Sequence, residues 1–426
     1  MFKYTSLQSR NFATFFFSAM AATAVFKANN GFGVTMINEG CHPMKHRIAR
    51  YYSNLSTQHS MQRSFRSCNK AYTGLLASKR QVTHPRFILK CRAEVADLKL
   101  LNNAPVEEEE RVAGEELSRS TLIWRAAKLP MYTVALIPVL VGCAAAYQQS
   151  GQFSFWRFLV SLASFVIINV WVNLSNDVYD FDTGADKDKK ESVVNLFGSR
   201  ELINTIAWSL LVIGFSGISC VAAAAGSGRS IILAAFAAFC FFLYQCPPFR
   251  LSYFGVGEPL LMLAYGPLST IAFYLLQSRT SELPISGTVV WPSLLIGFTT
   301  ALILFCSHFH QISGDRAVGK MSPLVRLGTD KGSKVVKFGV VGLYSLVLAL
   351  GFFQALPFPS VILGFMTLPV ANLVVGFVEK NHKDKSKIFK SKYLCVRLHT
   401  VFGAALAAGL VISRMLAPAA AAKLVL

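Results

Sequence analysis

FLVSLASFVIINVWVNLSNDVYDFDTGADKDKK, residues 158–190, decides how the chain is read. From Phe158 to Val172 it is an apolar run of membrane grade, and it then breaks into Asn173, Asn176, Asp177, Asp180, Asp182 and Asp186. If the helical period continues, Asn173, Asn176, Asp177 and Asp180 fall at i, i+3, i+4 and i+7 and share one stripe. An anionic stripe at the end of an apolar helix is costly unless it serves something. Carboxylate and amide oxygens at this spacing suit Mg²⁺, the usual companion of a phosphate-bearing substrate. A single Asp here would merely open a solvated loop. Four groups on one stripe point to a site.

The rest of the chain has the composition of a polytopic membrane protein: of 426 residues, 53% are apolar and 15% charged, with a mean hydropathy of +0.45. Nine apolar segments are long enough to cross a hydrocarbon core of ~30 Å at 1.5 Å per residue. They lie near 129–147, 155–176, 202–225, 230–246, 256–277, 289–311, 336–355, 359–378 and 398–416. The expected fold is all-α, nine transmembrane helices in one bundle over 121–418 enclosing a lateral cavity, with a short tail at 419–426. The nine cysteines form no CxxC pair, and Cys143, Cys220, Cys240 and Cys306 sit inside apolar runs as small core residues.

Charge is unevenly placed. Residues 1–93 carry 14 Lys or Arg against the single acid Glu39, which is +13 of the formal +20. This Ser/Arg-rich, acid-poor stretch has the composition of an organelle transit peptide, so its basic excess argues against nucleic-acid binding. The apolar run Asn11–Phe26 raises a secretory signal as a rival. Residues 94–120, with the run Glu107–Glu110, read as a solvated acidic N-terminus. Loops after segments 2, 4, 6 and 8 hold 18 Lys or Arg, while the opposite side offers Arg229 and Arg279, with Arg157 at a segment edge. By the positive-inside rule the even loops face the side of synthesis. The expected location is a chloroplast membrane with these loops in the stroma, the mitochondrial inner membrane being the alternative.

A second polar constellation follows segment 6: FCSHFHQISGDRAVGKMSPLVRLGTDKG, residues 305–332. His308, Gln311 and Asp315 keep helical spacing and end on the same cation-rich side as the first stripe. Lys189, Lys190, Arg316 and Lys320 lie among the two stripes, suited to gripping phosphate oxygens. A histidine alone would be a packing residue, and no His/Cys spacing suits zinc. On the same side, LYQCPPFRLSYFGVGEP (243–259) brings Tyr244, Arg250 and Tyr253. Such tyrosines serve either as interfacial anchors or as π faces for a cationic intermediate.

With these residues in view, the chain resembles the UbiA-type superfamily of intramembrane aromatic prenyltransferases over about residues 122–416. The first signature is Asn176, Asp177, Asp180 and Asp186. Gly184-Ala185-Asp186 is similar to the 1,4-dihydroxy-2-naphthoate polyprenyltransferase branch. The second is Gln311-Ile-Ser-Gly-Asp315-Arg316-Ala-Val-Gly319-Lys320, continuing into Val325–Gly328, with Gln311 where the branch ordinarily has Asp. That variant looks like the plastid and cyanobacterial form, whose donor is phytyl diphosphate. Pro130–Val134 and Val396–Thr400 also fit, and Lys128 stands where many relatives have Arg.

The resemblance implies a Mg²⁺-dependent enzyme acting on membrane-dissolved substrates. Asn176, Asp177, Asp180, Asp186 and Asp315 would hold the metal, assisted by Asn173 and Gln311. Lys128, Lys189, Lys190, Arg316, Lys320 and His308 would bind substrate, and Tyr244 or Tyr253 would shield an allylic cation. The partners implied are a prenyl (phytyl) diphosphate, 1,4-dihydroxy-2-naphthoate and membrane lipid. Rival readings are the same fold acting on homogentisate, chlorophyllide or 4-hydroxybenzoate, a transporter, or a prenyl-lipid binder. Acids clustered at one membrane face, with no visible inverted repeat, weigh against the transporter.

Overall fold

The structure, a computed structural model, describes residues 128–185, 192–277 and 283–423, with side chains to residue 417. The expected transit segment, the acidic stretch, and Asp186, Lys189 and Lys190 lie outside the described residues.

Apolar runs of this length leave the backbone one way to satisfy its polar groups inside a bilayer, which is the helix. Among the described residues there are nine helices long and apolar enough to span a membrane. They are α1 (Thr133–Ser150), α2 (Phe155–Thr183), α3 (Arg200–Ala225), α4 (Gly228–Gln245), α5 (Gly257–Gln277), α6 (Gly287–Ser307), α7 (Thr329–Phe352), α8 (Phe358–Asn381) and α9 (Ser391–Lys423). Each matches one expected segment. No strand occurs among the described residues.

The boundaries differ at the polar ends of the apolar segments. Helix α2 was expected to stop near 176 but runs to Thr183, so the whole acidic stripe stays helical. It ends at Gly184, whose left-handed φ of 79° breaks the helix without the penalty a Cβ would carry. Helix α9 begins at Ser391 rather than near 398. In the other direction, α6 ends at Ser307; a single 3₁₀ turn, His308–His310, and a separate short helix, Ile312–Ala317, follow. His308, Gln311 and Asp315 therefore do not share one continuous helix, and the chain bends between them.

The bundle has an inner and an outer set. Two-thirds or more of the apolar windows of α1, α5, α6 and α9 is buried, against a third or less for α3, α4, α7 and α8. Outer residues such as Val212, Phe236, Phe338 and Leu348 are exposed, as lipid-facing side chains are. Helix α2 lies between the sets, half buried, with its polar end turned inward.

Inside, small residues set the helix spacing, as expected where lipid gives helices no hydrophobic reason to associate. At the centre α5 is broken by Gly266-Pro267, where Gly266 leaves the helical region (φ −78°, ψ −105°). A Cβ built on Gly266 would come to 2.7 Å from both Gly297 Cα and Ser293 O of α6. The break frees Tyr265 to reach across: its hydroxyl donates to Asn169 Oδ1 of α2 at 2.6 Å. This buried bond fixes α2 against α5 one turn before the acidic stripe begins.

Replacing Gly266 with Val should cost about 1–3 kcal/mol through overpacking against α6. Gly342→Ala in α7, where an added Cβ meets nothing within 4 Å, should be neutral or raise stability by up to ~1 kcal/mol. Thermal midpoints of the detergent-solubilised protein, read by size-exclusion of the surviving fraction, compare the two.

Candidate active site

The stripe predicted on α2 forms. Asp177 and Asp180 are 0% and 6% exposed, Asn173 and Asn176 are half-buried, and all turn towards the bundle. Lys128, just before α1, places Nζ 2.9 Å from Asp177 Oδ1, and the backbone N–H of Val193 donates to Asp177 Oδ2 at 3.3 Å. Asn173 Nδ2 donates to Asn169 O at 2.9 Å, which leaves its carbonyl oxygen as the donor atom available on that face.

Asp315 arrives from the short helix after α6 and is 4% exposed, as is Lys320. Gly319, with φ 76°, turns the chain so that Lys320 N–H donates to Asp315 O at 2.8 Å. This tight loop carries the Lys320 ammonium to 3.6 Å from Asp315 Oδ1 and 3.9 Å from Asp180 Oδ2. The two acids, 135 positions apart in the chain, thus meet across one buried cation. Burial alone would lower the Lys320 ammonium, but Asp180 and Asp315 outweigh it and hold it above the usual lysine range. Burial also raises the Asp315 carboxyl; Lys320 and then His308 oppose the rise, while Asp180 adds to it.

The loop from α4 to α5 closes the site. Lys320 Nζ sits 5.7 Å from the Tyr253 ring centroid, within the range of a cation–π contact. The Tyr253 hydroxyl donates to Thr183 Oγ1 at 2.7 Å, Thr183 Oγ1 donates to Asp180 O at 3.1 Å, and Met321 N–H donates to Tyr253 O at 2.9 Å. Tyr253 therefore clasps the end of α2 and the Lys320 loop at once. Tyr244, buried near the end of α4, lies within electrostatic reach of Lys320, Asp180, Glu258 and Asp315.

Other polar residues of these stretches make local contacts. Arg316 is exposed and donates to Val325 O at 3.2 Å, which braces its own loop. His310 packs edge-on to Phe389 at 4.9 Å between centroids. Gln311 is half-buried, and its backbone carries the turn: its N–H donates to His308 O and its carbonyl accepts from Asp315 N–H. Asp182, read with the acids, is held by Arg200 in a fork of 3.0 and 2.7 Å.

Sequence reasoning missed two residues. Asn169 extends the polar stripe one turn deeper and was legible as the i−4 neighbour of Asn173. Glu258, the first-turn acid of α5, has both carboxylate oxygens buried without a hydrogen-bond partner, close to His308. In the sequence it was one acid before an apolar run.

The donor set is all oxygen, drawn from carboxylates and amides, which suits a hard divalent cation. Asp315 Oδ2 is buried and without a hydrogen-bond partner, so the site has coordinating capacity to spare. Among the described residues no three acidic, Cys or His groups converge closely enough for a preformed cage, because Lys128 and Lys320 stand against the acids.

Comparison with known proteins bears on the family and the fold. The profile of the UbiA prenyltransferase family matches residues 135–421. A relative from Arabidopsis thaliana, "2-carboxy-1,4-naphthoquinone phytyltransferase, chloroplastic", is 57% identical over 303 residues, covering 70% of this chain and 79% of that protein. One from Synechocystis, "2-carboxy-1,4-naphthoquinone phytyltransferase", is 41% identical over 67% of this chain and 92% of that protein. The apo structure of a UbiA homolog from Aeropyrum pernix shares the fold, with a TM-score of 0.52 at 15% identity over 66% of this chain and 97% of that one. The chain belongs to the UbiA prenyltransferase family and is a membrane-embedded prenyltransferase.

Proposed function

We propose that this enzyme transfers a phytyl group from its diphosphate to 1,4-dihydroxy-2-naphthoate, with loss of CO₂, in a chloroplast membrane. The observation that carries the reading is the meeting of Asp180 and Asp315 across Lys320 at the ends of apolar helices. That arrangement gives both charges needed to seat a metal diphosphate beside an apolar chain. The phytyl donor and a carboxylated naphthalenoid acceptor are supported by the names of the two relatives at 57% and 41% identity, which give the acceptor in its quinone form, and the compartment by the Arabidopsis relative.

Asn176, Asp177, Asp180 and Asp315, with Asp186, would hold a divalent cation, taken here as Mg²⁺. When bound, the metal neutralises the diphosphate as a leaving group. The chain's own residues do the rest. Lys320 and Lys128, each against a carboxylate of the site, would serve as counter-charges to the phosphate oxygens. The allylic C–O bond breaks, and diphosphate departs with the electron pair. Tyr253 and Tyr244 border the place where the carbocation forms, and their π faces stabilise it without capturing it. Apolar helices around the site exclude the water that would quench it.

The ring then attacks through the carbon that bears its carboxylate. A C–C bond forms, the bond to the carboxyl carbon breaks, and its electron pair returns to the ring as CO₂ leaves. No net proton is released, so the step does not depend on a general base. The prenyl tail needs an apolar path. Phe241 stands one turn before Tyr244 on α4 and lines an apolar cavity with Phe165, Ile168, Ile218 and Phe273.

Membranes supplied with 1,4-dihydroxy-2-naphthoate and phytyl diphosphate should yield a product whose mass equals the coupled pair less diphosphate and CO₂. A product formed only from homogentisate or 4-hydroxybenzoate would contradict the acceptor. Asp180→Ala and Asp315→Ala should each lower turnover by about 10²–10³, the size expected for losing one element of charge stabilisation. Asp182→Asn should stay within twofold, since it loses only a surface pair worth at most ~1 kcal/mol. A chelator should abolish turnover and Mg²⁺ restore it; full activity in excess chelator would refute the metal.

A further inference from the structure

We infer that Glu258, oriented by His308, binds a hydroxyl group of the aromatic acceptor. The inference rests on the reading of the site given above and assigns to it a second half, separate from the diphosphate half. Glu258 opens α5 and His308 ends the α6 span, so the pair joins the two helices that meet at Gly266 and Gly297.

Three observations carry it. The first is an unmet demand for hydrogen bonds. His308 is 3% exposed and the Glu258 side chain 12%, and His308 Nδ1 lies 3.2 Å from Glu258 Oε1. The two are nevertheless out of line for a hydrogen bond, and neither Glu258 oxygen nor His308 Nδ1 has another partner. An acid in a first helical turn ordinarily serves the helix by accepting a backbone N–H. Glu258 accepts none. Buried carboxylates left unpaired are expensive, and they persist where a ligand completes them.

The second is charge. Lys320 faces Asp180 and Asp315, and no ion pair joins a Lys or Arg to Glu258 among the described residues. A carboxylate whose neighbour is an imidazole rather than a Lys or Arg is better placed to accept from a neutral hydrogen-bond donor than to hold a diphosphate. Of the two substrates, only the acceptor carries donors, its ring hydroxyls. The third is position. The Tyr244 ring packs on Gly257, next to Glu258, where a Cβ would come to 2.8 Å from Tyr244 Cε2. Glu258 thus directly follows the residue on which the Tyr244 ring packs. A ring held there by its hydroxyl faces the carbon it must attack.

The chemistry is favourable as well as the geometry. A carboxylate accepting a hydrogen bond from a ring hydroxyl pushes electron density into the ring, and carbon attack draws on that density. The proton stays on the hydroxyl, so Glu258 returns unchanged.

The test separates the two substrates. Purified full-length protein is assayed with 1,4-dihydroxy-2-naphthoate, with its 1- and 4-monomethyl ethers, and with phytyl diphosphate, for wild type, Glu258→Ala, Glu258→Gln and His308→Gln. Glu258→Ala should raise the acceptor KM by about ten- to a hundredfold, the range for a hydrogen bond to a charged group. The KM for phytyl diphosphate should remain within twofold. Wild type should discriminate at least tenfold against one ether, and Glu258→Ala should lose that discrimination. His308→Gln should fall between. If Glu258→Ala does not elute as folded protein, the isosteric Glu258→Gln decides by the same split, with a smaller rise. A changed phytyl diphosphate KM or Mg²⁺ requirement, or ether discrimination that survives the substitution, would overturn the inference. Should wild type use another phenol instead of the naphthoate, the acceptor assignment fails, and the same comparison on that phenol still decides the role of Glu258.

Discussion

The structure depends on one electrostatic constraint: three carboxylates, Asp177, Asp180 and Asp315, are taken out of water at the end of apolar helices. Buried anions are tolerable only with counter-charges and ordered partners. Lys128 and Lys320 provide the charge, and the local backbone places them there. Lys128 lies in a left-handed turn before α1, and Gly319 turns the chain just ahead of Lys320. The surrounding bonds, Tyr253 to Thr183 and Thr183 to the carbonyl of Asp180, follow from the need to keep those parts in register.

The bundle serves that constraint at a distance. Helix α2 carries its stripe inward because Asn169, one turn deeper, is bonded by Tyr265, and Tyr265 can reach it because α5 breaks at Gly266-Pro267. The break in turn needs the close approach of α6 that only a glycine allows. The inner helices meet through small residues and a few well-satisfied polar groups, while the outer helices present apolar side chains to lipid. Site precision and membrane solubility come from different helices.

Much of this was legible in the sequence, for physical reasons that mark its limits. A run such as Phe158–Val172 has no stable form in a bilayer but a helix, so the nine spans and the all-α fold could be read directly. The i, i+3, i+4, i+7 spacing of Asn173 to Asp180 survives because α2 stays helical to Thr183. The spacing of His308, Gln311 and Asp315 did not predict the local structure: the chain switches to a 3₁₀ turn after Ser307 and bends, yet Asp315 still reaches the site. Arg316, read as a phosphate ligand, donates to Val325 O, a contact that a charge count could not foresee. Glu258 was illegible because its meaning lies in a contact with His308, fifty positions later, made only when α5 packs on α6.

The central claim is that Asp180 and Asp315 act as one diphosphate site. A double-mutant cycle on the binding of a non-ionising phytyl thiodiphosphate in Mg²⁺, using Asp180→Asn, Asp315→Asn and the pair, measures it directly. Two acids sharing one ligand should couple strongly, so that the double variant binds little worse than either single one. Losses that simply add would show two independent residues and contradict the account.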